Sequence, residues 1–219
     1  MAQALADMTL DELRPVLARA VAGHAGFDGW GDKAVESAAA ELGVDPAVAS
    51  FAFGGDRVAM IDAWFASIDA DMLDRLRPAE LEKLKIRERI TTLIEARLDL
   101  ALPNREALRR ALAILAFPTN APRAVQLGWR AADAMWRAAG DTATDYNHYT
   151  KRAILGSVYA ATLAVFLNDE SEGLSETRAF LGRRIEGIMR FEKAKARVVD
   201  MQPHFSPARF IGRLRYPAR

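Results

Sequence analysis

The stretch Asp32-Lys-Ala-Val-Glu-Ser-Ala-Ala-Ala-Glu-Leu-Gly-Val-Asp-Pro-Ala-Val-Ala-Ser-Phe-Ala-Phe-Gly-Gly55 decides the fold. Asp32 is suited to cap a helix that runs to Leu42, where Gly43 stops it. Asp45-Pro46 starts the next, because the fixed φ of proline suits the first helical position. Phe53-Gly54-Gly55 breaks that helix. Upstream, Leu13, Leu17 and Val21, with Leu10 and Ala20 beside them, repeat at helical spacing from Leu10 to Ala22, and Gly23 and Gly26 are expected to end the run. Downstream a long helical run goes from Arg57 to Leu76. Three short helices with a glycine turn between the second and third, followed by a long one, make a helix-turn-helix outline.

The rest of the chain reads as helices near Glu80 to Asp99, Arg105 to Ala116, Ala121 to Ala139, Thr144 to Leu167 and Ser175 to Val199. Pro78, Pro103, Pro118 and Gly173 mark the breaks. There is no alternating strand pattern and no internal repeat, so the fold class is all-α. At 219 residues and 51% hydrophobic the chain can bury a full core. It has no cysteine, which excludes disulfides, thiolate zinc sites and cysteine nucleophiles. Residues 1–56 read as a degenerate helix-turn-helix part, 57–199 as a lipid-binding and dimerisation domain, and 200–219 as a basic tail.

Charge argues against the function that the outline suggests. In residues 1–56 the three basic residues Arg14, Arg19 and Lys33 stand against nine acids, leaving −6. A DNA reader draws its affinity from phosphate neutralisation. The would-be recognition helix, Asp45 to Phe53, offers base edges only the hydroxyl of Ser50. No nucleic-acid partner is expected.

Catalytic patterns are also missing. His24, His148 and His204 lie far apart, and only His148 has a carboxylate at helical spacing, Asp145, where a di-iron bundle site needs two Glu-x-x-His pairs and two further glutamates. Ser157 sits inside an apolar helix rather than on a nucleophile elbow, and Gly23, Gly26, Gly29 and Gly31 follow a helix rather than a strand. The chain reads as non-catalytic, with no metal and no cofactor. The alternating charges Glu82, Lys85, Glu88 and Arg89 read as a solvated face, as do Glu192, Lys193 and Lys195.

Polar chemistry is concentrated from Asp141 to Arg152, Asp-Thr-Ala-Thr-Asp-Tyr-Asn-His-Tyr-Thr-Lys-Arg, between a helix carrying Trp129 and Trp136 and an almost purely apolar one. Thr142 and Asp145 fit a capping box, and Asp145, Tyr149 and Arg152 are spaced to share one helix face. Two readings stand: a helix start satisfied internally, or a surface read by a partner and made of Asp141, Asp145, Tyr146, Asn147, His148, Tyr149 and Arg152.

This stretch resembles the Asp-x-Ser/Thr-Thr-Asp-Phe-Asn-Trp-Tyr-Thr-Lys/Arg-Arg segment of the ubiquinone (coenzyme Q) biosynthesis accessory proteins, the COQ-nine family. The resemblance continues through Asp133-Ala-Met-Trp136, Ala139-Gly-Asp141, Val158-Tyr159, Thr162, Asn168-Asp-Glu-Ser171, Thr177-Arg-Ala-Phe-Leu181 and Arg184-Ile185, and near the N-terminus through Phe27-Asp-Gly-Trp30 and Ala39-Ala-Glu-Leu-Gly43. It covers about residues 10 to 199. His148 stands where the family pattern has Trp and Tyr146 where it has Phe, and the histidine gives up part of an aromatic contact surface. The resemblance implies a TetR-like fold, a lipid or isoprenoid quinone intermediate as ligand, and the di-iron demethoxyubiquinone hydroxylase, or an equivalent one, as partner. The helix-turn-helix outline keeps an alternative open, a TetR-type ligand-responsive transcriptional regulator.

Large apolar residues separated by alanines suggest an elongated apolar cavity lined by Leu112, Leu115, Trp129, Met135, Trp136, Leu155 and Val158, although the plainer reading of Trp129 and Trp136 is core, with a cavity wall as the alternative. The last two long helices are apolar beyond one face, and Gly182 and Gly187 permit close approach, so a homodimer is expected. The residues from Met201 onward carry four arginines and no acid, which leaves the body at −3 and the tail at +4. Phe205, Arg209, Phe210, Ile211, Arg213, Leu214 and Arg215 read either as a disordered end or as a basic amphipathic helix for an anionic membrane surface. Met1 to Asp11 carries acids and no basic n-region, so the expected place is cytoplasmic, peripheral on the inner face of the cytoplasmic membrane.

Overall fold

The computed structural model describes Leu5, residues 7–142 and residues 146–201, with backbone only at 146–147 and 191–201. Ten α-helices are found among the described residues from Leu10 onward. They are α1 (Leu10–Asp28), α2 (Asp32–Leu42), α3 (Pro46–Phe53), α4 (Arg57–Arg75), α5 (Pro78–Leu81), α6 (Ile86–Ala101), α7 (Arg105–Leu115), α8 (Ala121–Ala138), α9 (Tyr146–Phe166) and α10 (Ser175–Met201). Met1–Leu181 forms one compact unit and Gly182–Arg219 a second, so the boundary falls inside α10 and none separates α3 from α4. The second unit is described by α10, where Arg190 pairs with Glu186 at 2.6 Å.

Local chemistry explains most of the ends. Thr9 and Glu12 close a reciprocal capping box on α1, the Thr9 N–H donating to Glu12 Oε2 at 2.8 Å. Asp45 caps α3 by accepting from the Ala47 N–H at 2.7 Å, with Pro46 in the first turn. Asp32 is not a cap: Gly31 holds that position, and Asp32 begins the helix itself. Gly43 closes α2 in the left-handed region at φ 66°, where a side chain would be strained.

Two helices depart from the sequence reading. α1 runs past Gly23 and Gly26 to Asp28 and ends at Gly29, φ 79°. Gly26 lies inside the helix against α7, where a Cβ would make an ordinary contact 3.6 Å from the Ala107 backbone nitrogen, so this glycine does not stop the helix. The expected helix from Glu80 to Asp99 breaks between α5 and α6, where Arg89 donates from Nε to the Leu84 carbonyl at 2.9 Å and from Nη2 to that of Glu82 at 2.8 Å. The guanidinium takes up carbonyls that the turn leaves without helix partners.

α1 carries Leu13, Leu17 and Val21 into the core and packs against α2, α4 and α7. Trp30 and Trp64 lie with ring centroids 5.4 Å apart, and the Trp30 indole N–H donates to the Ala107 carbonyl at 2.9 Å. Burying two such ring systems, each worth about 1.5–3 kcal/mol, ties the first three helices to α4 and α7. α4 reaches α6 and α8, and α8 pairs with α9.

Candidate functional site

The turn between α8 and α9 is built from both sides. α8 ends at Ala138, and Gly140 turns the chain at φ 88°. The third guanidinium nitrogen of Arg89, Nη1, donates to the Ala139 carbonyl at 2.8 Å, placing a cation at the negative end of α8. Asp141 follows at once, almost wholly buried, and accepts from Lys151 Nζ at 2.6 Å and Arg152 Nη1 at 3.2 Å. Arg152 is fully buried; its Nε donates to Asp133 Oδ1 at 2.6 Å and its Nη1 to the His148 carbonyl at 3.1 Å. Burial alone would raise the Asp141 pKa, but the hydrogen bonds from Lys151 and then Arg152 outweigh it and hold the group below the usual carboxylate range.

Such a network contributes less to stability than to geometry, because desolvating the charges offsets most of their attraction. What it fixes is the rotation of α9 about its axis. The Trp136 indole N–H donates to the Lys151 carbonyl at 3.0 Å, with the Lys151 ammonium 5.4 Å from the ring centroid. Farther along, a Cβ on Gly156 would meet the Gly128 carbonyl oxygen at 3.9 Å, so the helices approach closely. With α9 so held, Tyr149 points outward at 62% exposure. Its ring lies 5.9 Å from Trp129 and 5.1 Å from His148, and His148 is 6.3 Å from Trp129. The three rings make one aromatic face.

The expected partner-binding set therefore divides. His148 and Tyr149 are on this face, whereas Asp141 and Arg152 are buried beneath it and unavailable to a partner, which corrects their reading as surface residues. Tyr149 and Arg152 do not share a face, because Arg152 turns inward to Asp133. Tyr146 and Asn147 have only backbone described, and Asp145 lies outside the described residues, as does the Thr142 to Asp145 capping box in part.

The expected lipid-lining set divides too. Met135, Leu115, Leu155 and Val158 are buried, Leu112, Trp129 and Trp136 are half-buried, and Trp129 belongs to the aromatic face. Phe205, Arg209, Phe210, Ile211, Arg213, Leu214 and Arg215 lie outside the described residues. Sequence reasoning missed Val125, 72% exposed and one turn before Trp129, whose i,i+4 spacing was its signal. It also missed Asp133 as the partner of Arg152, and it placed Arg89 on a solvated face.

Two other places bear on function. α3 presents Pro46, Ala47, Val48, Ser50 and Phe51 to solvent, Phe51 at 76%, and no cation. His24 is bonded to Glu41 at 2.8 Å, tying α1 to α2. Among the described residues there is no group of three or more His, Asp or Glu side chains that could hold a metal ion, and no helix is long and apolar enough to cross a membrane.

The fold defines a TetR-like all-α protein. A TetR transcriptional regulator from Nitrosomonas europaea aligns with a TM-score of 0.64 at 26% identity, over 80% of this chain and 97% of that one. Residues 121–192, which comprise α8, α9 and most of α10, match the COQ9 family model. The "Ubiquinone biosynthesis protein COQ9, mitochondrial" of Rattus norvegicus is 34% identical over 168 residues, 74% of this chain and 54% of that protein. The protein of the same name from Homo sapiens is 33% identical over 74% of this chain and 52% of its own length. The chain is thus similar to the COQ9 family, in the family model over α8 to α10 and in these relatives over about three quarters of its length. It spans about half the length of the curated relatives it matches. These relatives correct the expected compartment: their names place them in mitochondria, which overturns the cytoplasmic reading, and an acidic Met1 to Asp11 does not decide a compartment.

Proposed function

We propose that the chain serves ubiquinone biosynthesis as a non-catalytic accessory protein that binds a lipid or isoprenoid quinone intermediate and presents it to the di-iron demethoxyubiquinone hydroxylase. The names of the relatives support the pathway. The observation that carries the docking role is the outward aromatic face of Trp129, His148 and Tyr149, held by the buried Arg152 and its partners Asp133 and Asp141. Exposed aromatic rings on a rigid support are the usual anchors of an interface. The polar groups that could have suggested catalysis, Asp141, Lys151 and Arg152, are occupied in structural ion pairs.

Three features complete the reading. α9 leaves the small residues Ala153, Ser157, Ala160 and Ala164 exposed along one side, which suits close packing against a second copy in a homodimer; a monomeric mass by light scattering would argue against it. The basic tail, including Arg209, Phe210 and Arg213, suits an anionic membrane surface, and deletion of residues 202–219 should abolish salt-sensitive sedimentation with anionic liposomes. A regulator role is disfavoured by the uncharged outer face of α3, which offers DNA no phosphate contact.

The test of docking is capture of the hydroxylase by Tyr149→Ala and His148→Ala. Both variants should fold and melt as the parent does. Tyr149→Ala should weaken capture by about 2 kcal/mol or more. Unimpaired capture by folded variants would sink the docking role.

A further inference from the structure

Away from the α8–α9 turn, four helices bring a second set of charges together. Asp62 and Asp69 stand on α4, Arg97 on α6, Arg130 on α8 and Tyr159 on α9. Arg97 is only 2% exposed; its Nη1 donates to Asp69 Oδ1, and its guanidinium carbon lies 5.1 Å from the centroid of the Tyr159 ring. Arg130, with a side chain 39% exposed, donates from Nη1 to Asp62 Oδ1 and from Nη2 to the Asp62 carbonyl at 3.0 Å. Its Nε stands 3.5 Å from Asp69 Oδ2 without making a hydrogen bond. Arg130 and Asp62 thus form a half-exposed rim above the buried pair Arg97 and Asp69.

Two arginines against two aspartates leave no net charge, but the hydrogen bonds are not balanced. The Nε–H of Arg97 and the Nε–H of Arg130 are both buried and make no hydrogen bond, although Arg130 Nε faces Asp69 Oδ2 at 3.5 Å. A folded interior rarely leaves one such donor unpaired, because its lost hydration is not replaced. Two around the same carboxylate, from different helices, describe a place where donors outnumber the well-aligned acceptors. A group that donates as well as accepts gains less there than one that only accepts.

We propose that this cluster is a head-group site: the Nε–H groups of Arg97 and Arg130 donate to an acceptor oxygen on the lipid, and the Tyr159 ring lies beside that head. The chemistry is that of a carbonyl or carboxylate oxygen on an apolar tail, which a quinone and a fatty acid both supply. The site rests on the lipid-binding part of the proposed function. It adds a residue-level specificity to that reading, toward oxygen-headed lipids over hydrocarbon alone.

The test uses the whole 219-residue chain, titrated by calorimetry and checked by native mass spectrometry, with a decyl-tailed benzoquinone, decanoic acid and decylbenzene. The parent should bind at least one oxygen-headed ligand about tenfold or more tighter than decylbenzene, as a hydrogen bond to a charged group provides. Preference between the quinone and the acid assigns the oxygen as carbonyl or carboxylate. Arg97→Lys keeps a cation for Asp69 and removes the Nε–H; it should lose that advantage by about tenfold and bind decylbenzene unchanged. Should its melting curve show that it does not fold, Arg130→Lys, at a half-exposed position, should give the same selective loss. Equal affinity for all three ligands, or parental affinity in the folded lysine variant, overturns the head-group site while lipid binding stands. If none of the three binds, the lipid-binding reading fails and the head-group site with it.

Discussion

The α2–α3 turn and the α8–α9 turn use the same backbone device to opposite ends. Each follows a helix with a glycine in the left-handed region, Gly43 at φ 66° and Gly140 at φ 88°. At α2–α3 the charged side chains are Asp45, which caps α3, and Glu41, which pairs with His24 on α1, and the outward side carries Val48 and Phe51. At α8–α9 the charged side chains go inward, and the rings of His148 and Tyr149 are what they position. In a TetR-like fold the first of these places would carry the cations for DNA. Here the arginines and the lysine that define geometry are at the second.

The comparison breaks most severely at Arg152. Arg152→Met removes the buried cation shared by the half-buried Asp133 and the almost wholly buried Asp141; Arg137 and Lys151 still pair with them, so the loss should fall at the low end of the cost of breaking a buried pair, about 3 kcal/mol. Urea unfolding should show that loss, and a loss below about 1 kcal/mol would mean that the network does not hold α9. A similar device at the next turn sharpens the point. Asp169 is buried and accepts from the Ser171 and Thr177 hydroxyls and from both backbone N–H groups. Burial opposes its charge, yet those bonds prevail and place its pKa far below the usual carboxylate range. The folded pKa is the lower one, so its contribution is full above the ordinary aspartate range and is lost as pH falls toward the folded value; Asp141 has the same sign. Asp169→Asn should therefore lose about 1.5–3 kcal/mol at neutral pH and differ less from the parent in acid, read by melting at several pH values. Gly140→Ala meets both a left-handed φ and Arg89 Nη1 at 3.3 Å, and should cost about 1–2 kcal/mol in the same assay. Phe51→Ser on α3 should change stability by no more than about 0.5 kcal/mol, since the ring is out in water.

The helices of the N-terminal half were legible because their ends are local: Asp45, Pro46, Gly43 and the Phe53-Gly-Gly run act on residues beside them. Gly26 misled because what keeps the helix going there is packing against α7, about eighty positions away, which overrides the weak helix propensity of one glycine. At the α8–α9 turn the density of polar groups was visible, but its direction was not. Whether Arg152 faces in or out depends on Asp133, nineteen residues earlier on another helix. Arg89 read as a surface charge because its carbonyl partners, Glu82, Leu84 and Ala139, carry no mark in the sequence. The pairing of Arg97 with Asp69 is separated by twenty-eight positions and leaves no periodic signal.

The placement of the four tryptophans carries a consequence for measurement. Trp30 and Trp64 are sealed in the core beside one another, whereas Trp129 and Trp136 line α8 half-open to solvent. A dissolved collisional quencher thus reaches one pair of indoles and is kept from the other. Any protein that covers Tyr149 should dim the accessible fraction without touching the sealed one, so the chain has its own optical gauge of occupancy at that face, with the core pair as an internal reference.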